Sequence, residues 1–429
     1  MSIDYIKKNY HILTYFICYL SLLIGYFVGE NITSGPKADF LHTWDGAMEF
    51  NDDWVFSLLN FDKIDNYTRI SPIYLLAISL LNKLFQSVEI TKFFLFLIMT
   101  SCQILFYKIL KKVYFPNITQ NKNVLFCLSC VIFISPSFRA NIIWPESAML
   151  GLLFFLVGLY YFFKNQLIIE NKNIFLNIFF VALAAYIRPS FALFSLIFFI
   201  LFLLQTKNLQ LFFYMVILNL VLAFPALYYL FILEIQFFNV SVAGKELMGL
   251  NLNYLSKLSV IFSIIFFHLI PILIYKNFFL EEIFLRKNFF LILISIFISS
   301  ILIYLFDYDI NLSGGGIFLH LSNFIFKDNI FFLILIPFFT FFILKLITID
   351  FNKNIIILSI IVFSIPQFTV YHKYFDPLII ILAFTLMNFK IDKGFFSMRY
   401  ISFMYAFYIT YYIISFVNNY YFICFKFLF

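Results

Sequence analysis

Residues 29–72 read GENITSGPKADFLHTWDGAMEFNDDWVFSLLNFDKIDNYTRISP, a polar and acidic stretch set between apolar runs. That contrast decides the fold. On both sides the chain repeats apolar runs of about 17–20 residues, the length that crosses a bilayer as helix. The runs do not alternate as barrel strands do, and lipid demands that backbone groups be satisfied internally. An all-α, polytopic transmembrane helical bundle is expected, with residues 1–429 as one integral membrane domain. Hydrophobic residues make up 63% of the chain and charged residues 12%, which excludes the soluble enzyme classes. The net charge of +7 does not point to nucleic acid, because Lys and Arg fall in short loops between apolar runs, where they set topology. The 67 Phe residues, with abundant Ile, Asn and Lys, read as coding bias and lipid-facing filler, and suggest a bacterial plasma membrane.

The apolar runs fall at 11–28, 90–109, 124–137, 146–164, 172–187, 189–205, 209–232, 257–275, 288–306, 329–348, 354–370, 375–389 and 398–417, giving about 13 predicted transmembrane helices. The first follows Lys7 and Lys8 without a small-residue cleavage site and reads as a retained helix. Residues 71–87 are also apolar, but counting them as a span would invert every later loop and move the basic ones outside. The positive-inside pattern therefore predicts an interfacial helix at 71–87 within a first extracytoplasmic loop, 29–89. The same topology puts 135–148, 233–256 and 307–328 on that face, with the corners 186–190 and 371–377. Cys127 and Cys130 form a C-x-x-C within an apolar run and read as buried structural residues, since no other ligands lie nearby in sequence.

Chemistry is expected where polar groups gather at the outer face. Asp39, early in the first loop, could act as a general base, as could Asp45 or another acid of that loop, or it is a solvated loop acid; desolvation at a bilayer edge tunes such a carboxylate upward. Arg69, Arg139 and Arg188 lie at or beside the outer ends of apolar runs, where a guanidinium is costly and finds a partner such as a lipid phosphate or a headgroup. Glu146 follows Trp144-Pro145 at a helix start, a place the helix dipole favours by itself. His372, Lys373, Tyr374 and Asp376 share an external corner and suit a phosphate or sugar, or simply a polar turn. Trp44 and Trp54 suit stacking on a sugar ring or anchoring at the interface. Gly314-Gly315-Gly316 reads as a flexible turn before an anion cradle. Asp39, Asp45 and Glu146 leave room for a divalent cation, but no spacing demands one, and no cofactor is expected.

The order of these features resembles the GT-C glycosyltransferases, in the branch of protein mannosyltransferases and lipid A aminoarabinose transferases. Asp39 stands near that family's catalytic Asp, displaced by about two residues. Met48 to Asp53-Trp54 resembles its Met-x4-Asp-Trp element, and Arg69-Ile-Ser-Pro72 stands where it has Lys-Pro-Pro. Glu146 in WPESA, Arg188 in YIRPS, and Lys373-Tyr374 with Pro377 resemble its later acid and basic elements. The Asp is not followed by Glu, the double Pro is Ser-Pro, and the family's soluble C-terminal domain has no counterpart here.

The resemblance implies sugar transfer from a polyprenyl-phosphate donor to an envelope lipid, glycan or protein on the extracytoplasmic face. On that reading Arg69, Arg188 and Lys373 would hold the donor phosphate, and the residue-level candidates Glu146, Arg139, His372, Tyr374, Trp44 and Trp54 would contact substrate. An O-antigen-type polymerase or ligase is the alternative enzyme, although its large external loop comes late in the chain. A transporter or flippase of lipid-linked sugars is the alternative of another class, marked by repeats and broken helices.

Overall fold

The computed structural model describes residues 3–33, 35–63, 71–114, 122–168, 170–205, 208–235, 254–275, 288–308, 314–367, 369–391 and 393–426. The chain divides into two compact units: Met1–Phe237 with Tyr405–Phe429, and Phe238–Met404. Both are helical, and no strand occurs among the described residues.

The first unit opens with α1 (Ile3–Phe27), then α2 (Pro36–Met48), α3 (Trp54–Leu59) and α4 (Pro72–Phe85) in the stretch expected to be polar. Local chemistry sets these boundaries. Pro36 enters α2 at its first turn, where a missing N–H costs nothing. The Asp53 carboxylate caps α3 by accepting from the N–H groups of Val55 and Phe56 at 3.0 and 2.9 Å. Pro72 starts α4, and Gln86 ends it in the left-handed conformation. There follow α5 (Val88–Tyr114), α6 (Lys122–Cys130), α7 (Pro136–Ile143), α8 (Ser147–Leu167), α9 (Asn171–Ile187), α10 (Ala192–Gln205) and α11 (Leu209–Leu227).

The tightest seam joins α8 to α9. Gly151 and Gly158 lie seven apart on one face of α8, and a Cβ at Gly158 would come within 2.8 Å of the Val181 side chain. The glycines let the two backbones approach, as small residues do between membrane helices. Asn177 reinforces the seam by donating to the Gly158 carbonyl at 2.9 Å.

The second unit holds α12 (Tyr254–Tyr275), α13 (Phe289–Tyr304), α14 (Gly316–Phe326), α15 (Ile330–Ile349), α16 (Phe351–Phe363) and α17 (Leu378–Thr385). The last helix, α18 (Met398–Lys426), contributes its residues from Tyr405 onward to the first unit. Among the described residues, seven helices are long and apolar enough to cross a bilayer: Asn9–Phe27, Val88–Tyr114, Ser147–Leu167, Leu209–Ile232, Tyr254–Tyr275, Ile330–Ile349 and Met398–Asn419. This fits a multi-pass integral membrane protein.

Six expected spans differ from what is found. Four of them, at 172–187, 189–205, 288–306 and 354–370, form apolar helices of 10–17 residues, shorter than those seven. The run at 124–137 is broken: Lys122–Phe133 and Pro136–Ile143 meet at 65°. Pro136 cannot continue the preceding helix, and the Ser135 hydroxyl caps the new one by accepting from the Phe138 N–H at 3.2 Å. Counted as one span, this pair raises the total to eight. The expected polar outer turn at 135–148 is thus largely α7, all eight of whose residues are buried. The run at 375–389 yields only the eight residues of α17, about 12 Å of helix and too short to cross. Apolar composition marked these segments, but not where Pro and packing interrupt them. The expected interfacial segment does form a helix, α4, which buries Pro72, Tyr74, Leu75, Ile78 and Ser79.

Candidate functional site

In the first unit, the start of α8 gathers three chain segments. Glu146 sits at the N-cap position of α8, buried, with its carboxylate at the positive end of the helix dipole. Arg188 ends α9, and its guanidinium lies 3.4 Å from the hydroxyl of Ser147, the residue after Glu146. Gly151 permits this, since a Cβ there would stand 3.0 Å from the Arg188 side chain. Tyr74 of α4 donates its hydroxyl to the Pro145 carbonyl at 2.8 Å. Burial, then the charge of Glu146, pushes the Tyr74 hydroxyl well up, so it remains a donor. The Ser71 hydroxyl donates to the Tyr186 carbonyl and ties the start of α4 to the end of α9. A guanidinium 41 residues away in sequence is thus set beside the serine that follows Glu146.

Trp144 carries this corner toward the first loop. Its ring lies 6.1 Å from that of Phe40, the residue after Asp39, and Phe40 in turn lies 6.1 Å from Trp44. Asp39 is half-buried in the first turn of α2, whereas Asp45 is exposed. Two lysines meet the Trp144 ring, Lys92 at 3.4 Å and Lys37 at 5.3 Å from its centre. Sequence reading missed Trp144, Lys37, Lys92 and Tyr74 as site residues. The basic and aromatic character of the first two turns of α2 and α5 was the available signal.

Arg139 has another job. Its Nε and Nη2 donate to the two Glu30 carboxylate oxygens at 2.8 and 2.7 Å. Nη1 donates to the Ser21 hydroxyl and the Phe133 carbonyl, and Nη2 also to the Ser21 carbonyl, at 3.1, 3.3 and 3.1 Å. All five guanidinium donors are therefore engaged inside the protein. With Arg139 3% and Glu30 6% exposed, the pair is a buried structural clamp, and the substrate contact expected of Arg139 has no donor left to make it. Glu30 was not among the acids singled out from the sequence.

Trp54 is exposed beside the Asp53 cap, together with Val55, Phe56 and Leu59. The Met48 sulfur accepts from Asn51 and Asn82 at 3.2 and 3.3 Å, so the Met48–Trp54 element shows local structural contacts. Arg69 lies outside the described residues.

In the second unit, Ile317 at the start of α14 donates its N–H to His372 Nε2 at 3.1 Å. His372 Nε2 is thus an acceptor, and its proton sits on Nδ1, which faces His268 Nε2 at 3.3 Å. Desolvation, then the charge of His320, pushes His372 down to about 3, so it is neutral at ordinary pH. Lys373 lies 5.9 Å over the Tyr371 ring, and Tyr371 packs edge-on to Tyr374. The glycine run packs against this segment. Gly315 donates to the Val370 carbonyl at 2.9 Å, and Gly314, at φ +81°, has no room for a side chain because a Cβ would meet that carbonyl at 2.6 Å. The run is a tightly packed corner, not a loose turn.

Cys127 and Cys130 are buried free thiols. Among the described residues no group of three or more His, Cys, Asp and Glu is arranged to hold a metal ion. No protein-family model, curated protein or solved structure matches this chain.

Proposed function

We propose that this protein is a membrane glycosyltransferase of the GT-C kind, taking a sugar from a polyprenyl-phosphate donor at the extracytoplasmic face of a bacterial plasma membrane. The acceptor would be an envelope lipid, glycan or protein. The observation that carries this reading is the contact of Arg188 with Ser147, the residue after Glu146, close in sequence to Trp144, whose ring meets Phe40, the residue after Asp39. Asp39 is the better placed base, because it is half-buried next to Phe40, which packs on Trp144, whereas Asp45 is exposed. Arg188 holds the donor phosphate and stabilises the charge that grows on it as the sugar leaves. Lys37 and Lys92 add positive charge beside Asp39. Displacement with a single base inverts the anomeric carbon. On this reading the shorter apolar helices, such as Asn171–Ile187 at about 25 Å, also traverse the bilayer, toward the thirteen expected.

The broken span at Pro136 favours a second reading, a transporter of lipid-linked sugars, since transporters place sites at interrupted helices. Transfer assays separate the two. Membranes with wild type, Asp39→Asn, Glu146→Gln or Arg188→Ala are supplied with labelled polyprenyl-phosphate sugars and a membrane extract of acceptors. Transfer by wild type, lost at least a hundredfold in Asp39→Asn and Arg188→Ala at equal expression, supports the enzyme. Movement of label across the bilayer without any transfer would replace it with the transporter, and retention of configuration would reject single displacement.

A further inference from the structure

The opposite ends of α5 and α8 carry a second feature, independent of the glycosyltransferase reading. Lys111 and Lys112 lie in the last turn of α5, and Lys164 in the last turn of α8. The helices pack side by side, and their ends bring the lysines together over tyrosine rings. Lys112 Nζ stands 4.8 Å over Tyr160, Lys164 Nζ 6.0 Å over Tyr161, and Lys111 Nζ 5.8 Å over Tyr107. Tyr160 and Tyr161 are themselves edge-on at 5.6 Å. Lys112 and Lys164 thus flank one pair of touching rings.

The local charge does not balance. Each helix C-terminus supplies roughly half a negative charge, so two of them offset about one of the two ammoniums of Lys112 and Lys164, whose contacts among the described residues are with tyrosine rings. The acid nearest in sequence, Glu170, begins α9 and accepts from Asn173 at 3.2 Å. Cation–π contact orients an ammonium without neutralising it. The patch lies at the end of two helices that can cross a bilayer, Val88–Tyr114 and Ser147–Leu167. That is headgroup depth, and basic pockets between helix ends there bind anionic headgroups. We propose that Lys112 and Lys164, framed by Tyr160 and Tyr161, form a binding site for the phosphate of an anionic phospholipid. The tyrosine bodies lie against the first acyl carbons, and the ammoniums take the phosphate oxygens.

The test is lipid retention by the full-length protein in mild detergent, read by native mass spectrometry, with phosphatidylglycerol, phosphatidylcholine and inorganic phosphate as separate probes. Wild type is expected to hold phosphatidylglycerol and not phosphatidylcholine, with retention falling as salt rises. At roughly fivefold per lysine, Lys112→Gln/Lys164→Gln weakens retention about thirtyfold. Lys112→Arg/Lys164→Arg restores it, and Lys327→Gln in the second unit leaves it unchanged. If the Gln variant does not fold, the salt dependence of wild type and retention by the Arg variant still decide the matter. Equal retention of both lipids, salt-independent binding, or full displacement of lipid by millimolar inorganic phosphate would overturn the proposal, the last by making the ligand a soluble anion.

Discussion

Removing the Arg139 guanidinium strands a carboxylate inside the protein. In Arg139→Met, Glu30 remains 6% exposed and keeps only the Tyr412 hydroxyl, at 3.2 Å, from its present side-chain donors. Breaking a buried pair from one side costs about 3–5 kcal/mol, because the partner's desolvation is no longer offset. That is roughly two to three and a half powers of ten in the folded-to-unfolded ratio. The opposite change is milder. In Glu30→Gln, the guanidinium keeps the Ser21 hydroxyl, the Ser21 carbonyl and the Phe133 carbonyl, and the new amide oxygen still accepts. An apolar pair, Glu30→Leu/Arg139→Met, removes both charges and is expected to recover much of the loss.

The assay is unfolding by a denaturing detergent, followed by tryptophan fluorescence. Trp144 is a local reporter, since its indole N–H donates to the Glu30 carbonyl at 3.0 Å. A midpoint for Arg139→Met within about 1 kcal/mol of wild type would refute the reasoning, because surface pairs alone are worth that little. So would a double variant whose loss equals the sum of the losses of Glu30→Leu and Arg139→Met made singly, since two groups in direct contact are expected to couple.

Two further outcomes follow from the second unit. Gly314→Ala forces a Cβ to within 2.6 Å of the Val370 carbonyl at a φ of +81°, and is expected to cost about 2 kcal/mol or more in the same unfolding assay; a neutral result would mean the corner is not packed as described. His372, held near 3 when folded and near 6.5 when unfolded, gives stability that is full above about pH 6.5 and is lost as pH falls toward 3, because the unfolded chain takes up the proton first. His372→Gln should flatten that part of the stability-against-pH curve, and an unchanged slope would remove His372 as its source.

The helical fold was legible because a bilayer leaves few ways to satisfy a backbone, and long apolar runs state that directly. The interruptions were harder to read. Ser135-Pro136 carries a helix stop and start, yet nothing local says that the following PSFRANII is wholly buried rather than a polar outer turn. Glu146 and Arg188 were legible as candidates because each sits at a helix end beside a proline. The approach of Arg188 to Ser147, next to Glu146, was not, since it depends on the Gly151–Gly158 seam that draws α9 against α8. Glu30 was passed over because it adjoins the first helix and lies 109 residues from Arg139. A long-range ion pair leaves no trace in periodicity or spacing.

The same comparison separates two uses of arginine that look alike in sequence. Arg139 and Arg188 both sit at edges of apolar runs beside small and aromatic residues. Arg139 spends every donor on Glu30, Ser21 and Phe133, and Tyr412 lies 4.9 Å below its guanidinium. This clamp holds the carbonyl to which Trp144 donates, and Trp144 precedes Pro145 and Glu146. Its consequence for chemistry is therefore positional: it fixes the corner from which Glu146 projects. Arg188 is half-exposed and touches Ser147 at 3.4 Å, and a guanidinium placed there can fork onto a phosphate. If this division holds, Arg188→Lys should impair sugar transfer while leaving unfolding nearly unchanged, because a point charge cannot reproduce a bidentate fork. Arg139→Lys should impair unfolding first, and transfer only in proportion to the protein that remains folded.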